Sequence, residues 1–350
     1  MTDTLYRSIK IGSLELPGNL FLAPVAGYTD RVFRSICTRL GADFSFTELI
    51  SAEALTRNPQ KCSTALIDRG QHEKYYCIQL FGADPDVLGR ACTFLAPFRP
   101  DAVDLNAGCP VPKVIKTGAG SALMKDPARL GRAVETMVCS SRAHLGDVPV
   151  TVKIRSGWDN ALINYHECAR IAVEAGAAMV SLHPRTRAQG YAGKSNWSFI
   201  AELAARLPVP VTGSGDLYTP EDARRMLAET KCAAIMFARG AMGNPFIFAA
   251  AKSFLGTGTW TPPGNSERLD IAMEHLEMLA KDLGEKRACL EMRKQFCAYT
   301  KGSMSLPGIS GGGALREKIV RAATVKEYRE LLTWNLPSPE SPPGINAKTD

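Results

Sequence analysis

Asp104-Leu105-Asn106-Ala107-Gly108-Cys109-Pro110, followed shortly by Gly118-Ala119-Gly120-Ser121, is the stretch on which the fold turns. The apolar Ala102, Val103 and Leu105 lead into an amide, a turn, a thiol and a proline, then into a glycine-rich loop. Continuous apolar character marks a strand buried on both faces of a parallel sheet, and a barrel of such strands presents polar groups at its C-terminal ends. A cysteine is most often inert core filling. Cys109 differs, because it sits on a loop beside Asn106 and ahead of glycines that let the backbone approach a ligand. Asn106 can grip a carbonyl or imide and Cys109 can hand over a proton, so the pair reads as reactive chemistry.

Outward from this segment, short runs rich in Val, Ile and Phe alternate with longer helical patterns. Strands are expected at 20–24, 44–48, 75–80, 102–106, 150–155, 179–183, 210–213 and 234–238. Helices are expected near 31–39, 85–96, 127–141, 162–174, 197–206 and 220–227. Asp84-Pro85, Asp126-Pro127 and Thr219-Pro220 each set a capping side chain before a proline at the first helical position. Eight strands, each followed by a helix or helical loop, predict an α/β chain built as a (β/α)8 TIM barrel. A doubly wound sheet would have fewer strands and a nucleotide fingerprint after the first, and Ala23-Pro24-Val25-Ala26-Gly27 is not that fingerprint.

The barrel ends in a composition shift at Gly256-Thr257-Gly258-Thr259-Trp260-Thr261-Pro262-Pro263-Gly264. Helical patterns at 267–283, 287–300, 314–321 and 325–332 then predict a small C-terminal helical bundle, with Met292, Phe296 and Tyr299 as its core. The expected organisation is a catalytic barrel at 1–255, a linker at 256–265, a helical domain at 266–335 and a disordered proline-rich tail at 336–350.

The 350 residues are 45% hydrophobic and 22% charged, as in a soluble globular protein. Residues 1–24 lack a basic stretch leading into an apolar one, and no run reaches membrane-spanning length. The ten cysteines are scattered without a CxxC pair, which argues against a disulfide framework or a metal site and for the reducing cytoplasm. Net charge is +7, and between Lys286 and Arg329 ten Lys/Arg face three acids, so the remainder is close to neutral. That cluster is either a solvated helical surface or a docking face for a polyanion. Charge alone leaves both open.

Reading the expected strand ends in order gives Pro24-Val25-Ala26, Glu48, Gln79, Asn106 with Cys109, Lys153 with Arg155, His183 with Arg185, Gly213-Ser214-Gly215-Asp216 and Ala238-Arg239-Gly240. Each has an ordinary explanation alone, such as a capped turn, a salt bridge or a buried histidine. Their joint placement points to a site. Glycine turns after the last two strands are where many barrels hold a phosphate on backbone N–H groups. A lysine at the fifth strand and an amide at the third suit the other end of a long ligand with a phosphate and a polar ring system, and FMN fits that description. No residue-level rule demands FMN over another phosphate ligand.

Taken together, these motifs make the chain resemble the tRNA-dihydrouridine synthases, most closely the bacterial B type, from Leu22 to Leu332. The resemblance is carried by Ala23-Pro24-Val25-Ala26-Gly27-Tyr28-Thr29-Asp30, Gln79-Leu80-Phe81-Gly82, the 104–110 and 118–125 segments, Val152-Lys153-Ile154-Arg155, 183–187, Gly213-Ser214-Gly215-Asp216 and 239–245. In the helical region Met292-Arg293-Lys294 and Tyr299-Thr300-Lys301-Gly302 match as well. The resemblance implies an FMN enzyme that reduces the C5–C6 double bond of uridine in tRNA with NADPH or NADH as reductant. It implies that Pro24, Val25, Ala26, Gln79, Lys153, Ser214, Gly215, Asp216, Ala238 and Arg239 hold FMN with His183 close by. Cys109 would be the proton donor, Asn106 would orient the uracil, and Arg185, Arg293 and Lys294 would contact the substrate. It turns the basic cluster into a tRNA face. A monomer without a protein partner is expected.

Three positions depart from the family pattern: Val25 stands where methionine is common, Ser214 where asparagine is usual, and Pro184 where a small residue follows the histidine. None removes a reactive group. Hydride addition to C6 of uracil leaves enolate-like charge that needs a proton at C5, and a thiol with an ordinary pKa near 8.5 is mostly protonated at pH 7. Two rival readings are an FMN barrel acting on a free pyrimidine, which would not need the helical domain, and a non-catalytic RNA-binding barrel.

Overall fold

The computed structural model describes residues 5–58 and 64–333. Its strands, in chain order, are β1 (Ile9–Ile11), β2 (Leu14–Leu16), β3 (Leu20–Leu22), β4 (Phe44–Phe46), β5 (Ile50–Ser51), β6 (Tyr76–Phe81), β7 (Ala102–Ala107), β8 (Val150–Asp159), β9 (Leu162–Ile163), β10 (Met179–Thr186), β11 (Val211–Ser214) and β12 (Ala234–Phe237). β3, β4, β6, β7, β8, β10, β11 and β12 pair in that order and all in parallel, and β12 pairs with β3 to close the ring. The expected (β/α)8 barrel is the observed one.

Register decides which side chains become neighbours. Gln79 stands beside Asp104, Asn106 beside Lys153, and Arg155 beside His183. Polar residues at alternate positions of β6, β7, β8 and β10 therefore form one connected layer near the strand ends. Around the ring the helices start where their caps predict. Asp30 accepts from the N–H groups of Val32 and Phe33, Asp84 from Asp86 and Val87, and Asp126 from Arg129. Thr219 forms a reciprocal capping box with Asp222.

Several elements differ from expectation. β8 and β10 run several residues past their expected ends, and β9 folds back antiparallel on β8. Asp159 accepts from the N–H groups of Ala161 and Leu162, making a turn where a helix was expected to start, so the helix is Tyr165–Glu174. The helices Ala52–Arg57, Thr64–Ile67, Pro112–Ile115 and Ile247–Thr257 were not foreseen. The last of these absorbs Gly256 and Thr257 and is capped by Gly258 in the left-handed region, while the next helix is Asn265–Leu283. The irregular connection is thus shorter than 256–265, and the chain divides into two compact units between Pro262 and Pro263, within that stretch.

The β1–β2 hairpin, also unforeseen, buries Ile9, Ile11 and Leu16 in one cluster with Phe21, Phe44, Ala102, Met179 and Ala234 near the starts of the barrel strands. The hairpin closes the N-terminal end of the barrel and leaves the opposite end to the site.

The second unit contains the helices Asn265–Leu283, Glu285–Lys301, Gly312–Ile319 and Val325–Thr333. Met292, Phe296 and Tyr299 are fully buried in it, as expected, together with Leu276, Ile319 and Tyr328. Arg268 is buried too and donates to the carbonyls of Tyr299 and Pro307, each at 2.7 Å. The expected tail at 336–350 and the last two residues of the expected helical domain lie outside the described residues. No described helix is long and apolar enough to cross a membrane.

Candidate active site

At the C-terminal ends of the barrel strands lies a cavity of about 340 Å³. Its wall is formed by Pro24, Val25 and Ala26 after β3, Asn106 and Cys109 at β7, Lys153 and Arg155 on β8, His183 on β10, Ser214, Gly215 and Asp216 at β11, and Ala238 and Arg239 after β12. Strands far apart in sequence thus deliver most of the expected site residues to one place. Four are elsewhere. Gln79 and Arg185 are buried behind the wall, and Arg293 and Lys294 belong to the second unit.

The turn after β7 shapes the thiol. Asn106 Oδ1 accepts from the N–H groups of Gly108 at 3.2 Å and Cys109 at 2.9 Å. Ser121 donates to the Cys109 carbonyl from both its N–H and its Oγ, at 3.0 Å. Gly120 has φ +61, and a Cβ there would stand 2.7 Å from the Cys109 carbonyl oxygen. The glycine-rich loop is therefore a brace for the Cys109 turn, which requires glycine both for conformation and for close approach. Arg155 adds a second brace, donating to the carbonyls of Gly108, Thr186 and Gly190 at 2.9–3.0 Å. Burial pushes the Cys109 thiol up, against smaller opposing effects from the Val111 backbone, Arg155 and Lys153. It stays protonated at neutral pH.

Beneath the cavity lies a buried polar chain. Thr151 Oγ1 donates to Asp104 Oδ1 at 2.5 Å, and Gln79 Nε2 donates to Asp104 Oδ2 at 2.7 Å. Asn106 Nδ2 donates to Gln79 Oε1 at 2.8 Å. Gln79, expected on the cofactor, spends both ends of its amide within this chain and supports Asn106 from below. Burial raises Asp104 to about 6, against its hydrogen bonds and Lys153. Lys153 has no carboxylate within ion-pair distance among the described residues. Burial and the Arg155 charge pull it down to about 8, against Asp104 and Cys109. Burial, with Lys153, Arg155, Arg185 and Arg239 nearby, drives His183 well below the usual imidazole range. It is neutral, and its Nε2 is buried with no hydrogen-bond partner among the described residues.

The β11 and β12 ends form the other half. Gly215 has φ +111, and a Cβ at Gly240 would lie 2.2 Å from the Leu217 carbonyl oxygen. The backbone N–H groups of Gly215, Asp216, Arg239 and Gly240 have no acceptor among the described residues. The Asp216 carboxylate accepts from Arg185, Arg239 and both the N–H and Oγ of Ser195. Despite partial burial, the Ser195 amide and Arg185 hold it below the usual carboxylate range. Arg185, expected on the substrate, is 1% exposed and also donates to the carbonyls of Ala192 and Gly193. It anchors the loop after β10.

Among the wall residues given no role from the sequence are Arg155, Tyr191 and Tyr218. Arg155 was visible as a strand-end cation two positions beyond Lys153, and strand alternation puts both on one face. Tyr191 is 60% exposed at the cavity mouth, with the Arg239 guanidinium 4.8 Å and that of Arg155 5.8 Å from its ring centre. Nothing in its local sequence marks it. Tyr218 lies 5.3 Å from Arg239 in the same way.

In the second unit, Lys294 pairs with Glu291, Lys326 with Glu330 and Arg329 with Glu277. Lys286, Arg287, Lys301 and Arg321 are exposed and have no acidic partner among the described residues. Arg293 is half-buried. No group of three or more His, Cys, Asp or Glu among the described residues is arranged to hold a metal ion.

A closed parallel barrel with a protonated thiol, an unpaired lysine and free backbone amides at its strand ends is an enzyme of the (β/α)8 class. Among solved structures it is similar to an old yellow enzyme homologue from Zymomonas mobilis, with TM-score 0.50 and 13% identity over 76% of this chain and 96% of the other. It is similar also to histamine dehydrogenase from Rhizobium sp. 4-9, with TM-score 0.52 and 14% identity over 84% of this chain and 51% of the other. The dihydrouridine synthase family profile matches residues 21–335. A probable tRNA-dihydrouridine synthase from Treponema pallidum is 48% identical over 85% of this chain and 89% of its own length. The tRNA-dihydrouridine synthase B of Pseudomonas aeruginosa is 36% identical over 91% of this chain and 95% of its own. The chain belongs to the dihydrouridine synthase family of flavin-dependent oxidoreductases.

Proposed function

We propose that this enzyme reduces the C5–C6 double bond of uridine in tRNA, with FMN in the barrel cavity and NADPH or NADH as reductant. The observation that carries the reading is the Cys109 thiol, protonated and held on the same turn as Asn106 at the wall of a cavity that also contains Lys153.

The residues present fit FMN. Free N–H groups at Gly215, Asp216, Arg239 and Gly240, beside the Arg239 guanidinium, suit its phosphate. The unpaired Lys153 and the partnerless Nε2 of His183 suit its polar ring edge. When bound, FMN supplies the hydride for C6 of the uracil. Lys153 supplies positive charge to the electron-rich end of the cofactor, the usual way a protein tunes such a group. Asn106 grips a uracil carbonyl with its remaining N–H. Cys109 keeps a proton on Sγ for C5, and burial keeps that proton in place until it is needed.

The uridine must leave its stack to reach the cavity, at a cost of a few kcal/mol, and phosphate contacts to exposed cations offset that cost. Lys286, Arg287, Lys301 and Arg321 of the second unit are free to make them. The test is to purify the protein and follow its flavin. The expected result is a yellow protein that releases FMN on denaturation and, once reduced by NADPH, is reoxidised by unmodified tRNA but not by free uracil. A colourless protein that FMN does not reconstitute overturns the reading. Efficient turnover of free uracil transfers it to a free-pyrimidine oxidoreductase.

A further inference from the structure

We infer that Asp104, without touching the substrate, fixes the direction of the Gln79 and Asn106 amides, so that Asn106 shows the cavity a hydrogen-bond donor and no acceptor, a polarity that selects uracil over cytosine. The inference rests on the reading of this cavity as the uridine site.

A carboxylate only accepts hydrogen bonds, so the oxygen that meets Gln79 obliges that amide to turn its NH2 group toward Asp104. Gln79 Oε1 is then left facing Asn106, and it takes one hydrogen of Asn106 Nδ2 at 2.8 Å. At its other end Asn106 meets two backbone N–H groups, those of Gly108 and Cys109, which only donate. The two ends agree. A reversed Asn106 would set oxygen against oxygen at Gln79 and nitrogen against nitrogen at the turn, with unmet polar groups in a buried layer. Its Oδ1 is thus committed, one N–H is committed, and one N–H remains for the cavity that Asn106 lines.

Cys109 and Asn106 share one turn. If Cys109 protonates C5, the ring substituent nearest Asn106 is the one on C4, the atom bonded to C5. Uracil has an oxygen there, which accepts; cytosine has an amine, which donates and would meet a donor. Hydride addition at C6 moves negative charge onto that oxygen, so the same N–H binds more strongly as the reaction proceeds. Asp104 is a positioning residue acting through two amides. The titratable groups facing it are Lys153 on β8 and Cys77 on β6, and Lys153 favours its ionised form.

The test uses the full-length, FMN-loaded, reduced enzyme. Flavin reoxidation is followed with an unmodified tRNA transcript, and with the same transcript carrying cytidine at the reacting uridine, located by mapping the product. Comparing the uridine-to-cytidine rate ratio between variants removes the intrinsic difference in base reactivity. Asp104→Asn can offer Gln79 either end of its amide, and Gln79→Leu cuts the relay. Each is expected to lower kcat on uridine by about 10–100-fold with little change in KM, and to shrink the ratio by at least about tenfold. Thr151→Val, which removes only the donor on the far oxygen, is expected to keep most of the ratio. Wild-type ratios in Asp104→Asn and Gln79→Leu proteins that fold and hold FMN overturn the inference. Should neither hold FMN, the wild type decides. A protonated Asp104 gains an O–H donor and so, like Asp104→Asn, no longer obliges Gln79 to point its NH2 group that way. The ratio is expected to fall between pH 8 and pH 5, and a constant ratio overturns the inference. A wild type that does not reduce uridine at all would instead sink the underlying functional reading.

Discussion

Arg185 Nη2 reaches both carboxylate oxygens of Asp216, at 2.7 and 2.9 Å, and Arg239 Nη2 reaches one of them at 3.1 Å. One carboxylate is shared by a buried and a half-exposed guanidinium, so this end of the cavity keeps one net positive charge while its arginines stay fixed. Asp216→Asn should destabilise the protein by about 3 kcal/mol in urea denaturation, the low end of the range for breaking a buried pair, because Asp216 is partly exposed. FMN affinity should fall in the same variant. The native pKa of Asp216 is lowered, so its stabilisation is complete above the ordinary value of about 3.9 and disappears as pH falls through the lowered native value. Wild type and variant should therefore converge in stability in strong acid.

Cys109→Ala should still bind FMN and still be reduced by NADPH. Reoxidation by tRNA should slow by roughly 10²–10⁴-fold, as expected for loss of a general acid. Alkylation of Cys109 by iodoacetamide should be slow at pH 7 and accelerate only well into the alkaline range, because its thiol is raised. Full activity in the alanine variant would make Cys109 an ordinary core thiol.

Lys153→Met should lower the flavin midpoint potential more than it weakens FMN binding, since its charge serves the reduced, negatively charged form. That charge is lost as pH rises through about 8, so tRNA-dependent turnover should decline above that point. In Lys153→Arg the decline should move to the higher pH at which the Cys109 thiol ionises, because a guanidinium keeps its charge. An unchanged potential in the methionine variant would remove Lys153 from this role.

Affinity for tRNA should fall steeply with added salt, and each phosphate contact removed should reduce the slope by about one unit. Lys286, Arg287, Lys301 and Arg321 are the substitutions of choice. Lys294 is already paired with Glu291 at 2.9 Å, and Arg293 is half-buried. Neutralising the pair at 293–294 should change the slope less than neutralising Lys286 and Arg287. A chain ending between Gly258 and Pro262 should keep FMN and NADPH oxidation while losing most tRNA affinity; retained affinity would mean the basic helices do not dock RNA.

The barrel was legible because each of its eight strands is a compact apolar run, and because proline follows Asp or Thr at three helix starts. Strand ends located Asn106, Lys153 and His183, whose side chains follow the alternation of their strands into the cavity, and the turn after β7 located Cys109. Gln79 and Arg185 look identical to wall residues in sequence. Only three-dimensional pairing with Asp104 and Asp216 shows that they face other side chains. The helix Ile247–Thr257 was hidden by the glycine and threonines at its end, where local turn signals outweighed the alanine-rich run before them. Tyr191 stands on a loop between glycines, and its neighbours Arg155 and Arg239 come from distant strands, so no local pattern announces it.

The β1–β2 hairpin stoppers one end of the barrel with Ile9, Ile11 and Leu16. Between hairpin and cavity the barrel is filled by buried side chains such as Phe21, Phe44 and Met236, so the cavity has one doorway, at the strand ends. Were a flavin held in this cavity, a nicotinamide donor and a flipped nucleotide would both have to reach it through that doorway, and would come in turn. Initial rates measured at several fixed tRNA concentrations should then give parallel double-reciprocal lines against NADPH. Each reactant in excess should inhibit by occupying the doorway ahead of the other. The packed interior and the hairpin beneath it thereby leave the chemistry a single approach.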